Sequence, residues 1–162
     1  MYRATILVLG IALFLGACSG PGSEGDRAPS STLRFNLGTS ARNHIVTTAE
    51  NALLTRYGYR LDRRVDTAED VRLETSWKAV NALEEEQLAG YSQVRVRVSV
   101  TARPRSRAGG TGSTFAARMV AECEGQLAVG GNWVEVPIMS GREAYFEEIA
   151  EYLENEFKGG VM

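Results

Sequence analysis

Residues 94–101 read Val-Arg-Val-Arg-Val-Ser-Val-Thr, four valines at strict two-residue spacing. Side chains of a strand alternate between faces, so this period puts every valine on one side and every polar residue on the other. The segment is therefore a strand with one buried face and one wet face. Phe115, Ala117, Met119, Ala121 and Cys123 alternate in the same way with Ala116, Arg118, Val120, Glu122 and Glu124. Between them, residues 103–113 (Arg-Pro-Arg-Ser-Arg-Ala-Gly-Gly-Thr-Gly-Ser) are too polar to pack, which predicts an open hairpin loop. Consecutive strands without a helical crossover imply an antiparallel sheet.

The other elements follow from the same period test. Leu33 to Leu37 alternates over a short first strand. Thr39 or Ser40 then suits the N-cap of a helix from Ala41 to Tyr57, with Ile45, Ala49, Ala52 and Leu53 on its apolar stripe and Gly58 at its end. Tyr59 to Val65 and Val71 to Ala79 add two strands, the second with Val71, Leu73, Thr75, Trp77 and Ala79 on one side. Val80 to Gly90 surrounds Glu84-Glu85-Glu86 and reads as a charged loop with some helix, its carboxylates a solvated run. Trp133 to Val136 extends or ends the sheet. Ser140-Gly141-Arg142-Glu143 fits a capping box, followed by an apolar helical face of Tyr145, Phe146, Ile149, Leu153 and Phe157. The order β-α-β-β-β-β-α predicts an α+β two-layer sandwich, an antiparallel sheet of four to five strands with two helices packed on one face.

Ahead of that domain, Arg3 precedes an apolar run from Ala4 to Ala17, about 14 residues where a bilayer-spanning helix needs about 20. A positive start, a short apolar stretch and small residues before a cut form the layout of a secretory signal. Leu15-Gly16-Ala17-Cys18 resembles the lipobox of bacterial lipoproteins at all four positions. The resemblance implies removal of residues 1–17 and attachment of lipid to Cys18, so that the chain meets the membrane through that residue. Ser19 in place of aspartate implies, by the Gram-negative sorting pattern, transfer to the outer membrane, facing the periplasm. Residues 18–31 then form the lipidated cysteine and a Gly-, Ser- and Pro-rich tether with a root-mean-square reach of about 20 Å. Residues 32–158 form one domain and 159–162 a tail. Cys123 would lack a cysteine partner and is expected as a small buried hydrophobe.

Few residues carry candidate chemistry. Eighteen Lys and Arg against 20 Asp and Glu, a formal charge of −2, argue against a nucleic-acid partner. His44 is the only histidine, no nucleophile elbow is present, and one histidine with two cysteines is a poor supply of zinc ligands. The pattern calls for no catalytic residue, no metal and no cofactor. The glycines of residues 109–114 lack the lysine and the following helix of a phosphate loop.

The arginines are more informative. Arg95, Arg97 and Arg118 share the wet face of the central pair, and Arg103, Arg105 and Arg107 extend from it into the loop. Two readings stand open. Glu122 and Glu124 share that face and would neutralise it by cross-strand pairing, or the cluster contacts an anionic surface or acidic partner. Trp77 falls on the apolar side of its strand and is expected in the core, whereas Trp133 suits either the core or an interface.

Ala49 to Tyr59 (AENALLTRYGY), a helix closing on Gly-Tyr, and the strand holding Glu74-Thr75-Ser76-Trp77-Lys78 resemble the helix-grip arrangement of BamC-type accessory lipoproteins of outer-membrane assembly. Lipopolysaccharide-assembly lipoproteins, with two helices against a sheet behind a lipobox, are similar in element order. Either resemblance implies a non-enzymatic accessory protein with an envelope protein as partner. A lipid- or glycan-binding module using the sheet face and the Arg103 to Arg107 loop is the alternative, since fold likeness does not transfer function.

Overall fold

The computed structural model describes residues 30–105, 114–127 and 129–159. The signal segment, Cys18, most of the tether, Arg107 and the last three residues lie outside that set.

Seven strands form one antiparallel sheet: β1 (Thr32–Ala41), β2 (Leu61–Asp66), β3 (Val71–Thr75), β4 (Lys78–Val80), β5 (Gln93–Arg105), β6 (Thr114–Gln126) and β7 (Val134–Glu135). Their order is β1-β6-β5-β3-β2, with β4 also on β5 and β7 also on β6. Three helices accompany them: α1 (Arg42–Glu50, continued by a wider π turn over Asn51–Arg56), α2 (Glu84–Leu88) and α3 (Ser140–Gly159). The antiparallel sheet with helices is as the sequence predicts. The count of four to five strands and two helices is not: there are seven strands and three helices.

The period-2 reading of the centre holds, but β5 runs on through Arg103 and Arg105, which the sequence reading placed in the hairpin loop and which pair with the start of β6. β5 and β6 pair from Gln93↔Gln126 to Arg105↔Thr114 without a register shift. Val94, Val96, Val98 and Val100 are buried, as are Phe115, Ala117, Met119, Ala121 and Cys123. These side chains join Ile45, Leu53, Phe146, Ile149, Leu153 and Phe157 of α1, its π turn and α3 in one core. Burial of the Cys123 thiol pushes its pKa up to about 12, the behaviour of an inert core side chain.

The elements depart from the sequence reading where tertiary contacts override local pattern. β1 runs on to Ala41, which pairs Thr114, so residues 39–40 are held in the ladder and Ser40 is buried, not an N-cap. Ala41 takes the N-cap position without a side-chain hydrogen bond. The first helix widens because the Tyr57 N–H reaches the Ala52 carbonyl five residues back, at 3.0 Å. Gly58 then turns the chain with φ +64°, a conformation other residues adopt at a cost.

The glutamate run is solvated only in part: Glu84 is exposed and Glu85 half-buried, but Glu86 is not. Glu86 is 1% exposed and receives two hydrogen bonds from Arg142 of α3, at 2.9 and 2.8 Å. Burial opposes the Arg142 charge, but the bonds and attraction of Glu86 outweigh it and hold the guanidinium pKa above its ordinary value. Glu85 accepts from the Ser140 hydroxyl at 2.9 Å and the Gly141 N–H at 2.7 Å. The start of α3 is thus served from α2, and the Ser140 hydroxyl predicted to cap its own helix is spent on Glu85.

Candidate functional site

The helices occupy the valine face of the sheet, which leaves the other face for Arg95, Arg97, Arg118 and their neighbours. Cross-strand register divides that face into two ends of opposite character.

At one end the arginines are paired off. Arg95 stands opposite Glu124 and Arg97 opposite Glu122. Arg95 donates to Glu124 at 2.7 Å, and its guanidinium lies between the rings of Trp77 (4.8 Å) and Trp133 (4.3 Å). Arg97 donates to Glu122 at 2.8 Å and Glu74 at 3.1 Å and also lies over the Trp77 ring, at 4.7 Å. Opposite charges and cation–π stacking satisfy both cations where they stand.

Trp77 is therefore half-buried on the charged face, not in the core where its strand parity put it. A bulge is the cause. Leu73 pairs Val100 and Glu74 pairs Ser99, but Lys78 pairs Val96. One extra residue is absorbed between β3 and β4, which moves the residues that follow to the opposite face. The Thr75 hydroxyl seals the gap by accepting the Val98 N–H at 3.0 Å.

At the other end, among the described residues, the arginines outnumber the acids. A half-open groove of about 830 Å³ runs over β1, β6, β5 and the start of β3, and its lining includes Arg34, Arg72, Arg103, Arg105 and Arg118 with Asp70 as its one acid. One sheet row reads Asn36–Arg118–Thr101–Arg72 across four strands. Arg34, Arg105 and Arg118 are exposed. Arg103 is 79% exposed with Asp70 at 3.8 Å, too far for a hydrogen bond. The Arg72 Nε and Asp70 Oδ1 atoms are buried without a hydrogen-bond partner among the described residues. A second bulge, between Asn36 and Gly38 of β1, brings Thr39 opposite Ala116 and into the same lining. Gly38 makes it with φ +82°.

The structure thus gathers Arg103, Arg105 and Arg118 and separates them from Arg95, Arg97 and Trp133. Arg107 lies outside the described residues. Arg34 and Arg72 join the groove and were not singled out in the sequence. Each alternates with apolar neighbours on its own strand, which marks the wet face, but only the order β1-β6-β5-β3 makes them neighbours of Arg118.

The other candidates have structural partners. His44 Nε2 is 3.0 Å from the Glu156 carbonyl and its ring stands edge-on to Phe157, so it joins α1 to α3. Among the described residues, no group of three His, Cys, Asp or Glu side chains is placed to hold a metal, and no helix is long and apolar enough to cross a membrane. No family model matches the chain, and no curated relative matches it.

Proposed function

We propose that this chain is a lipid-anchored, non-enzymatic binding protein of the bacterial cell envelope. In this reading Cys18 holds it at the outer membrane facing the periplasm, and the domain serves as an accessory factor in envelope assembly. The single observation that carries the binding role is the groove. Among the described residues, five arginines against one aspartate converge on a sheet face that no helix covers, in a chain whose overall charge is −2. Uncompensated arginines in a concave site repel one another and favour an anionic occupant. A protein with acidic side chains is the leading partner, and an anionic lipid or glycan the second, favoured by the room the groove offers.

Photo-cross-linking in cells tests this reading. A photoreactive side chain replaces Ala116 inside the groove or Ala79 opposite Arg95 at the paired end. The expected result is one defined product from position 116, lost with Arg118→Glu, and none from position 79. Equal products from both positions, or indifference to Arg118→Glu, contradict the groove. In the same cells Cys18→Ala is expected to leave the membrane fraction; retention there at full size contradicts the anchor.

A further inference from the structure

We infer that the groove takes a phosphorylated polyol or sugar bearing two phosphate groups, one held by each of two arginine pairs. This deepens the second reading above, an anionic lipid or glycan in the groove, and rests on it. The register defines the pairs. Arg34 stands opposite Val120, two residues from Arg118 on β6, and Arg72 stands opposite Thr101, two residues from Arg103 on β5. Such diagonal neighbours lie about 7–8 Å apart. Two strand spacings and a two-residue offset separate the pair centres, about 10–12 Å.

The residue type and the number per site point to phosphate. The groove's basic residues are all arginine, with no lysine in the lining. A guanidinium is a planar fork that grips an oxyanion through two parallel bonds, whereas an ammonium is a point charge. One fork satisfies a carboxylate. A phosphate monoester carries about −1.5 to −2 charge and three acceptor oxygens, which suits two forks. The buried Arg72 Nε, without an acceptor among the described residues, would gain one from a phosphate between Arg72 and Arg103. Asp70 Oδ1, buried without a hydrogen-bond donor among the described residues and 3.8 Å from Arg103 Nε, suits a hydroxyl on the same ligand.

Calorimetric titration of the full chain carrying Cys18→Ala tests this, with fructose 1,6-bisphosphate against fructose 6-phosphate. A second arm uses phosphatidylcholine vesicles carrying the diphosphoryl or the monophosphoryl form of a disaccharide lipid. The expected result in at least one arm is binding of the bisphosphate about tenfold or more tighter than the monophosphate. That binding should weaken about tenfold or more in Arg118→Ala, a loss in the range of one charged hydrogen-bond pair. Arg72→Lys, which keeps the charge and removes the fork, should weaken it comparably, and Arg63→Ala on neighbouring β2 should not. Response of both arms assigns a free ligand, and response of the vesicle arm alone a lipid headgroup. Equal binding of mono- and bisphosphate, or binding unchanged by Arg118→Ala, overturns the inference. If polyglutamate binds in an Arg118-dependent way and neither bisphosphate does, the phosphate inference falls and the groove stands. If no anion binds through Arg118, both fall.

Discussion

Replacing Glu86 with alanine isolates the cost of the buried ion pair that joins α2 to α3. In the native chain the Glu86 carboxylate accepts two Arg142 bonds and the Leu83 N–H at 2.8 Å, and Arg142 also donates to the Asn81 carbonyl at 3.0 Å. The side chains are 1% and 7% exposed, so water does not replace what is removed. Glu86→Ala leaves a guanidinium that cannot deprotonate in a site built to cancel it. Breaking a buried pair from one side costs about 3–5 kcal/mol. For a domain of this size that is a fall in Tm on the order of 10–20 °C. A double variant, Glu86→Leu with Arg142→Met, removes both charges and keeps apolar volume, and should recover most of the loss. Urea unfolding of the Cys18→Ala chain, followed by circular dichroism and by the fluorescence of Trp77 and Trp133, measures all three. A Glu86→Ala loss under about 1 kcal/mol, the scale of exposed pairs, would refute the reasoning. So would a double variant no more stable than Glu86→Ala.

Three further outcomes follow from other parts of the fold. The Cys123 pKa is raised from an ordinary 9.0 to about 12, so the folded state keeps a proton that the unfolded chain releases. The stability this represents is intact below pH 9 and should fall by about 1.4 kcal/mol per pH unit between those values, a slope that Cys123→Ala reduces in urea titrations at successive pH. Buried Tyr59, hydrogen-bonded to Tyr145 at 3.2 Å and also raised, adds loss in the same direction above its ordinary range. Thr75→Val keeps the shape but strips the Val98 N–H of its acceptor, for a loss of about 1–3 kcal/mol in equilibrium unfolding. Gly58→Val forces a β-branched residue to φ +64° and should cost about 1–2 kcal/mol by the same assay; an unchanged midpoint would mean that this turn has another conformation.

The parts of the fold that were legible in the sequence are those decided by neighbours along one strand or one helix. The valines of β5 and the alternation of β6 are unambiguous, and their pairing placed Arg95 and Arg97 opposite Glu124 and Glu122, as the self-paired reading of that face required. What escaped depends on residues far apart in the chain. One extra residue between Thr75 and Lys78 reversed the side on which Trp77 stands, and no local pattern announces a bulge. Glu86 looks like its two neighbouring glutamates until Arg142, on the last helix, is packed against it. The groove is the same case. Arg118 was visible as a wet-face cation, but Arg34 and Arg72 belong to it only through strand order, and what distinguishes them from Arg95 and Arg97 is the absence of facing carboxylates.

The division of the arginine face into a paired end and an open end is tested most directly by backbone amide NMR during titration with a generic polyanion, a heparin oligosaccharide. The expected shifts concentrate at residues 34–39, 70–72, 101–105 and 116–118, with those at 95–97, 122–124 and Trp133 unmoved. Shifts centred on Arg95, Arg97 and Trp133, or spread evenly over the basic residues of the chain, would contradict it.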